Sequence, residues 1–216
     1  GDWAEVERIC RKYDILLWSD EVICGFGRTG EWFGCQKYGF TPDIMTMAKG
    51  ITSGYIPLSA VALSNTMAEP IINADTEMAH GFTYSGHPVA AAVALRNIEL
   101  LDELDLVGEH GARTARYFQA KLKTLDDHPL VGETRGVGLL GAMELVKDKH
   151  KKERFSPDGR AGTLCRNNCF NTGVVMRAVG DTMFLCPPLV ITEDEIDALF
   201  DLVRKALDKT AIELGV

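Results

Sequence analysis

Asp20 and Lys49 are the residues whose type and placement most suggest chemistry. Each closes a short apolar run, Ile15-Leu16-Leu17-Trp18-Ser19-Asp20 and Ile44-Met45-Thr46-Met47-Ala48-Lys49. Such runs bounded by turn residues are the pattern of buried parallel strands. In open α/β sheets, ligands bind beyond the carboxyl ends of the strands. A strand continuing through Val22 places Asp20 and Val22 on one face, because side chains alternate along a strand. A carboxylate beside a β-branched side chain suits a flat heteroaromatic ligand, the carboxylate reaching a ring nitrogen while the valine lies against the ring. The same residues also fit plainer roles, Asp20 capping a loop and Lys49 ending a strand in solvent.

Between them lies Gly25-Phe26-Gly27-Arg28-Thr29-Gly30, which satisfies the G-x-G-x-x-G spacing of a dinucleotide loop. That loop needs a helix packed directly after its last glycine and an acidic residue roughly 20 positions on. Here Glu31-Trp32-Phe33-Gly34 follows, and the chain near position 50 reads Lys49-Gly50-Ile51-Thr52. The sequence therefore argues against a nucleotide cradle, and the glycines need another explanation.

The elements that must position these residues read as α/β with a mostly parallel sheet. Helical spacing covers residues 2–12, and apolar runs at 15–20, 44–48 and 59–64 read as buried strands. Long helical patterns cover 88–104 and 107–124. A glycine-punctuated strand is expected over 135–146, a charged loop over 148–159, and a helix near Thr163. Further strands are expected at 174–176 and 183–185, and Thr192 with Glu195 forms a capping box that opens the last helix. The division between domains is expected inside the long helix after His87, giving residues 1–94 and 95–216.

Composition narrows the function classes. A chain of 216 residues, 46% hydrophobic and 25% charged, has the make-up of a globular protein. A net charge of −8 lacks the basic patch that nucleic acid or a membrane surface needs. No charged-then-apolar leader opens the sequence and no apolar stretch is long enough to span a bilayer. The six cysteines form no CxxC pair, and only Cys165 and Cys169 share a helical face, so free thiols and a cytoplasmic setting are expected.

Longer stretches carry a resemblance. Leu16 to Gly30 (LLWSDEVICGFGRTG), Pro42-Asp43-Ile44 and Ala48-Lys49-Gly50 resemble the signature region of the class III aminotransferases. His80 to Pro88 (HGFTYSGHP), Val174-Val175-Met176-Arg177 and Cys186-Pro187-Pro188 agree with it, so the resemblance spans nearly the whole chain. Within that family the sequence looks most like the ω-amino acid:pyruvate transaminases. The resemblance implies a fold-type I enzyme using pyridoxal 5′-phosphate (PLP), with part of the large-domain sheet followed by a smaller α+β C-terminal domain. It implies that Lys49 forms the Schiff base with the cofactor and then serves as general base. Asp20 would hold the pyridine nitrogen protonated, and Val22 would pack on the ring. Thr83 would bind the phosphate, contributed from a neighbouring subunit. Arg177 would bind the carboxylate of pyruvate or an amino acid, a task suited to a guanidinium.

The resemblance also implies a substantial N-terminal half that carries a glycine-serine phosphate loop, a ring-stacking aromatic residue and further strands of the same sheet. The present sequence corresponds to the C-terminal half, which alone should leave apolar sheet edge uncovered. The expected assembly is a homodimer or homotetramer containing both halves, acting on small amines and keto acids. Two other readings stand beside pyruvate-dependent transamination. One is another class III activity, 2-oxoglutarate-dependent transamination or racemisation. The other is a piece with no catalysis of its own.

Overall fold

The computed structural model describes residues 2–216, which divide into two compact units, Gly1–Glu109 and His110–Val216. In the first unit, the Asp2 side chain accepts the Glu5 N–H and opens α1 (Trp3–Lys12). Glu5 in its first turn and Arg11 and Lys12 in its last suit the helix dipole. β1 (Trp18–Asp20) runs parallel to β2 (Ile44–Met47), which pairs antiparallel with β3 (Ala60–Leu63). The sheet order is β1-β2-β3, so one of its two pairings is parallel and the other is not.

β1 is shorter and more open than the sequence suggests. Leu17 donates its N–H to Asp43 Oδ2 at 2.8 Å, and its carbonyl accepts from the N–H groups of Asp43 and Ile44. Before Asp43 stands Pro42, which has no N–H with which to extend the ladder. Ile15 and Leu16 therefore stay outside the sheet, 51% and 55% exposed, and Trp18 is 63% exposed. The expectation of a buried strand is corrected to an edge strand, whose outer side has no partner among the described residues.

Two short helices were not legible, α2 (Gly34–Tyr38) and α3 (Asn65–Ile72), the latter with Pro70 inside it. After an exposed stretch, α4 (Pro88–Glu103) begins with His87 as N-cap and proline in its first turn. α4 lies wholly in the first unit, so the division falls beyond its C-terminal end and not within it.

The second unit is α+β. α5 (Glu109–Lys123) is followed by β4 (Val131–Val137), β5 (Leu140–Leu145), α6 (Arg160–Asn171), β6 (Arg177–Val179), β7 (Thr182–Leu185) and α7 (Glu193–Leu214). The strands form one antiparallel sheet in the order β4-β5-β7-β6. The single strand expected over 135–146 is a hairpin, because Gly138 at φ 59° supplies a two-residue turn between Val137 and Leu140. Residues 174–176 lie outside the sheet, whose strand begins at Arg177.

Its core joins Phe118 and Leu122 of α5, Met143 and Met183 of the sheet, and Val203 and Leu207 of α7, each essentially inaccessible to water. Thr192 and Glu195 form the reciprocal capping box anticipated for α7. No disulfide joins the six cysteines among the described residues, and Cys165 and Cys169 are buried in α6. No helix among the described residues is long and apolar enough to cross a membrane.

Candidate active site

Asp20 is the last residue of β1 and lies directly opposite Thr46 of β2. Its Oδ1 accepts two hydrogen bonds, from the Val22 N–H and from the Thr46 hydroxyl, both at 3.2 Å. Trp18, two residues earlier, donates its indole N–H to the same Thr46 oxygen at 3.2 Å. Oδ2 of Asp20 takes no hydrogen bond among the described residues. Val22 is not on the strand, because β1 ends at Asp20. The two residues are joined by the turn hydrogen bond from the Val22 N–H to Asp20, in the manner of an Asx turn. The strand-alternation argument for a shared face is thus replaced by a local turn.

The turn sends Glu21 inward. Glu21 is 1% exposed, and its carboxylate accepts the Gly34 N–H at 2.8 Å, the Cys35 N–H at 2.7 Å and the Ser19 hydroxyl at 3.1 Å. It thereby satisfies the orphan donors at the start of α2. This accounts for the decoy glycine motif. The helix N-terminus that a nucleotide phosphate would need is filled by the protein's own carboxylate. Gly34 suits that approach, since a Cβ there would crowd Glu21 Oε2 at 3.1 Å and Cys24 Cβ at 3.2 Å. Burial pushes the Cys35 thiol up, with help from the Glu21 charge, and burial, Glu21 and Asp20 do the same for Cys24. Neither neighbouring thiol is set up as a nucleophile.

Lys49 follows β2 at its carboxyl end and opens a single 3-10 turn, Lys49–Ile51, with φ at 45°. That left-handed backbone costs an L-residue about 1–3 kcal/mol and persists only where the surroundings impose it. Two contacts do so. Phe26 packs beneath Gly50, where a Cβ would meet Phe26 Cβ at 3.0 Å. From α4, Asn97 donates Nδ2 to the Gly50 carbonyl at 2.8 Å and to the Ile51 carbonyl at 3.2 Å. Ser53 donates its hydroxyl to Asn97 Oδ1 at 2.6 Å, which fixes the amide's orientation. The Lys49 amine is exposed and has no hydrogen-bond or ion-pair partner among the described residues.

The structure thus places Asp20 at the end of β1, Val22 in the turn after it, and Lys49 just past the carboxyl end of the parallel neighbour β2. Thr83 belongs to the same unit but lies in an exposed turn, residues 83–86, and its hydroxyl has no partner among the described residues. Arg177 begins β6 of the second unit, exposed, opposite Phe184 in register, and its guanidinium is likewise unpaired. Sequence reasoning missed Glu21, Thr46 and Asn97. The one available signal was Thr46, the sole polar side chain of β2.

The family described as aminotransferase class-III matches residues 3–207. The chain belongs to the class-III aminotransferases. It is 56% identical over 209 residues to a putrescine–pyruvate aminotransferase of Pseudomonas aeruginosa, covering 97% of this chain and 45% of that protein. It is 41% identical over 211 residues to the chloroplastic gamma aminobutyrate transaminase 3 of Solanum lycopersicum, covering 96% of this chain and 40% of that one. Among solved structures, the omega transaminase of Pseudomonas jessenii in complex with PMP superposes with a TM-score of 0.94 at 42% identity, over 99% of this chain and 48% of that chain. The chain thus spans about half the length of the relatives it matches. The fold is that of the fold-type I transaminases.

Proposed function

We propose that the protein is a PLP-dependent aminotransferase that moves an amino group from an amine or ω-amino acid to pyruvate. The observation that carries this is an unpaired Lys49 amine and an aspartate with an open Oδ2, following and ending two paired parallel strands. These residues fit a pyridine aldehyde: an amine free to attach to it, a carboxylate free to face its ring nitrogen, and Val22 one turn away. The putrescine–pyruvate name of a relative at 56% identity supports pyruvate as acceptor.

PLP, when bound, supplies an aldehyde that links to amines and a ring that withdraws electrons from the attached carbon. Lys49 Nζ holds the cofactor and, once released, takes a proton from the substrate's amino-bearing carbon and returns it during transfer. Asp20 Oδ2 accepts the hydrogen bond of the ring N–H and so keeps that nitrogen charged. Val22 packs against one ring face. Thr83 binds phosphate in a neighbouring subunit of a homodimer or homotetramer, and the Arg177 guanidinium binds the carboxylate of the keto acid. The segments that precede these in the longer relatives complete the site, and the setting is cytoplasmic.

The test is an absorbance titration of the protein with PLP, followed by borohydride reduction and peptide mass mapping. The expected result is a visible-edge band that becomes a fixed adduct on Lys49, absent in Lys49→Ala. An adduct spread over surface lysines and unchanged in that variant would refute the assignment. Turnover of putrescine or another diamine with pyruvate, but not with 2-oxoglutarate, supports the acceptor. The reverse preference would favour a 2-oxoglutarate-dependent enzyme, the activity class kept alongside in the sequence reading, and racemisation without amino transfer would favour a racemase. Cofactor capture without turnover would mark a non-catalytic piece.

A further inference from the structure

Trp18, Thr46 and Asp20 form a hydrogen-bond chain with only one possible direction. An indole N–H is a donor only, so at 3.2 Å from Trp18 Nε1 the Thr46 oxygen must accept. The single Thr46 hydroxyl proton is then free to point at Asp20 Oδ1, also 3.2 Å away. The three residues share one face of the sheet, since Trp18 and Asp20 are two apart on β1 and Thr46 lies directly opposite Asp20 on β2. Oδ1 is also held by the Val22 N–H. Two donors on Oδ1 fix the rotation of the carboxylate and leave Oδ2 as its one open acceptor.

We propose that Thr46, held by the indole of Trp18, is a positioning residue for Asp20, turning its Oδ2 toward the ring nitrogen of the cofactor. This rests on the cofactor reading above. Without the Thr46 hydroxyl, the Val22 N–H alone holds Oδ1 and the carboxylate can rotate about its terminal bond. A threonine in an otherwise apolar strand, Ile44-Met45-Thr46-Met47, is then explained by the acid across from it.

Thr46→Val keeps the volume and the β-branched shape that suit a strand and deletes only the hydroxyl. Dissociation constants are measured by absorbance for PLP and for an analogue with C–H in place of the ring nitrogen, in the wild type, Thr46→Val, Thr46→Ser and Trp18→Phe. One net hydrogen bond corresponds to about a fivefold change in affinity. Thr46→Val should weaken PLP by about fivefold to tenfold and leave the ring-carbon analogue unchanged. Thr46→Ser should restore PLP binding, and Trp18→Phe should fall between.

Equal PLP affinity in Thr46→Val and wild type would overturn the proposal. So would an equal loss for both ligands, which marks a merely structural role. A wild type that fails to distinguish the two ligands would remove the Asp20 reading, and this inference with it. That failure is visible before any variant is made.

Discussion

Replacing Glu21 by glutamine should unfasten the first unit without touching the second. The carboxylate uses both oxygens: Oε2 accepts the Gly34 N–H at 2.8 Å, and Oε1 accepts the Cys35 N–H at 2.7 Å and the Ser19 hydroxyl at 3.1 Å. An amide has one oxygen, so in either orientation its NH₂ faces a backbone N–H and two donors oppose each other. One charge-assisted bond is lost, worth about 1.5–3 kcal/mol, and the remaining one becomes neutral and about half as strong. A buried N–H is left unsatisfied, costing about 1–3 kcal/mol, while relief of the buried charge offsets part of the sum. The net loss is about 3 kcal/mol, a large share of the 5–15 kcal/mol that typically holds a domain together.

Tryptophan fluorescence reads this selectively, because Trp3, Trp18 and Trp32, the only three, all lie in the first unit. With a urea slope of about 2 kcal/mol per molar, the fluorescence midpoint should fall by about 1–2 M. Amide exchange of α7 in the second unit should be unchanged. A fluorescence midpoint that moves by less than about 0.3 M would show that the carboxylate does not hold α2. The explanation of the glycine loop would fall with it.

Asp43 gives a pH prediction. The Leu17 N–H, and then Arg11 beside it, hold its carboxyl below the ordinary 3.8. A lowered folded pKa means stability that is present above the unfolded value and lost as pH falls through the folded one. The wild type should therefore exceed Asp43→Asn in urea midpoint near pH 6, with the gap closing as pH falls below the ordinary carboxyl value and through the lowered folded one; a gap that widens in acid contradicts the assignment. Asn97→Ala removes both donors to the Lys49 turn and should cost about 1–2 kcal/mol, seen as faster amide exchange at Thr52 and Ser53, whose N–H groups bond within that turn. Unchanged exchange there would mean that Phe26 alone holds the turn. Met183→Ala empties a fully buried site in the second unit and should cost about 2–5 kcal/mol. It should speed amide exchange in β7 and leave the fluorescence transition in place.

What the sequence disclosed and what it hid divide along one physical line, the range over which each residue finds its partner. Local signals were legible. Asp2 and Glu5 start α1, and Thr192 and Glu195 close their capping box within one turn of α7. The strand end at Asp20 also reads correctly, whereas the strand expected to run to Lys49 stops at Met47. α2 was hidden because its cap is Glu21, 13 positions before Gly34. The turn at Lys49 was hidden in its cause, since its clamp, Asn97, lies 47 positions beyond Gly50. The hairpin at Gly138 is also local, but its flanking runs merge in the sequence into what reads as one strand. The same distinction explains why G-x-G-x-x-G misleads here. Its first glycine, Gly25, does allow a close approach, yet what approaches is the Glu21 carbonyl, 2.9 Å from where a Cβ would sit, and the Phe33 ring. A glycine pattern specifies that something must come near the backbone, and only the fold decides whether that is a phosphate or the protein's own side chains. In this chain Phe26, inside the motif, packs against Gly50 beside Lys49, so the motif that looked like a rival site is part of the support for the one proposed.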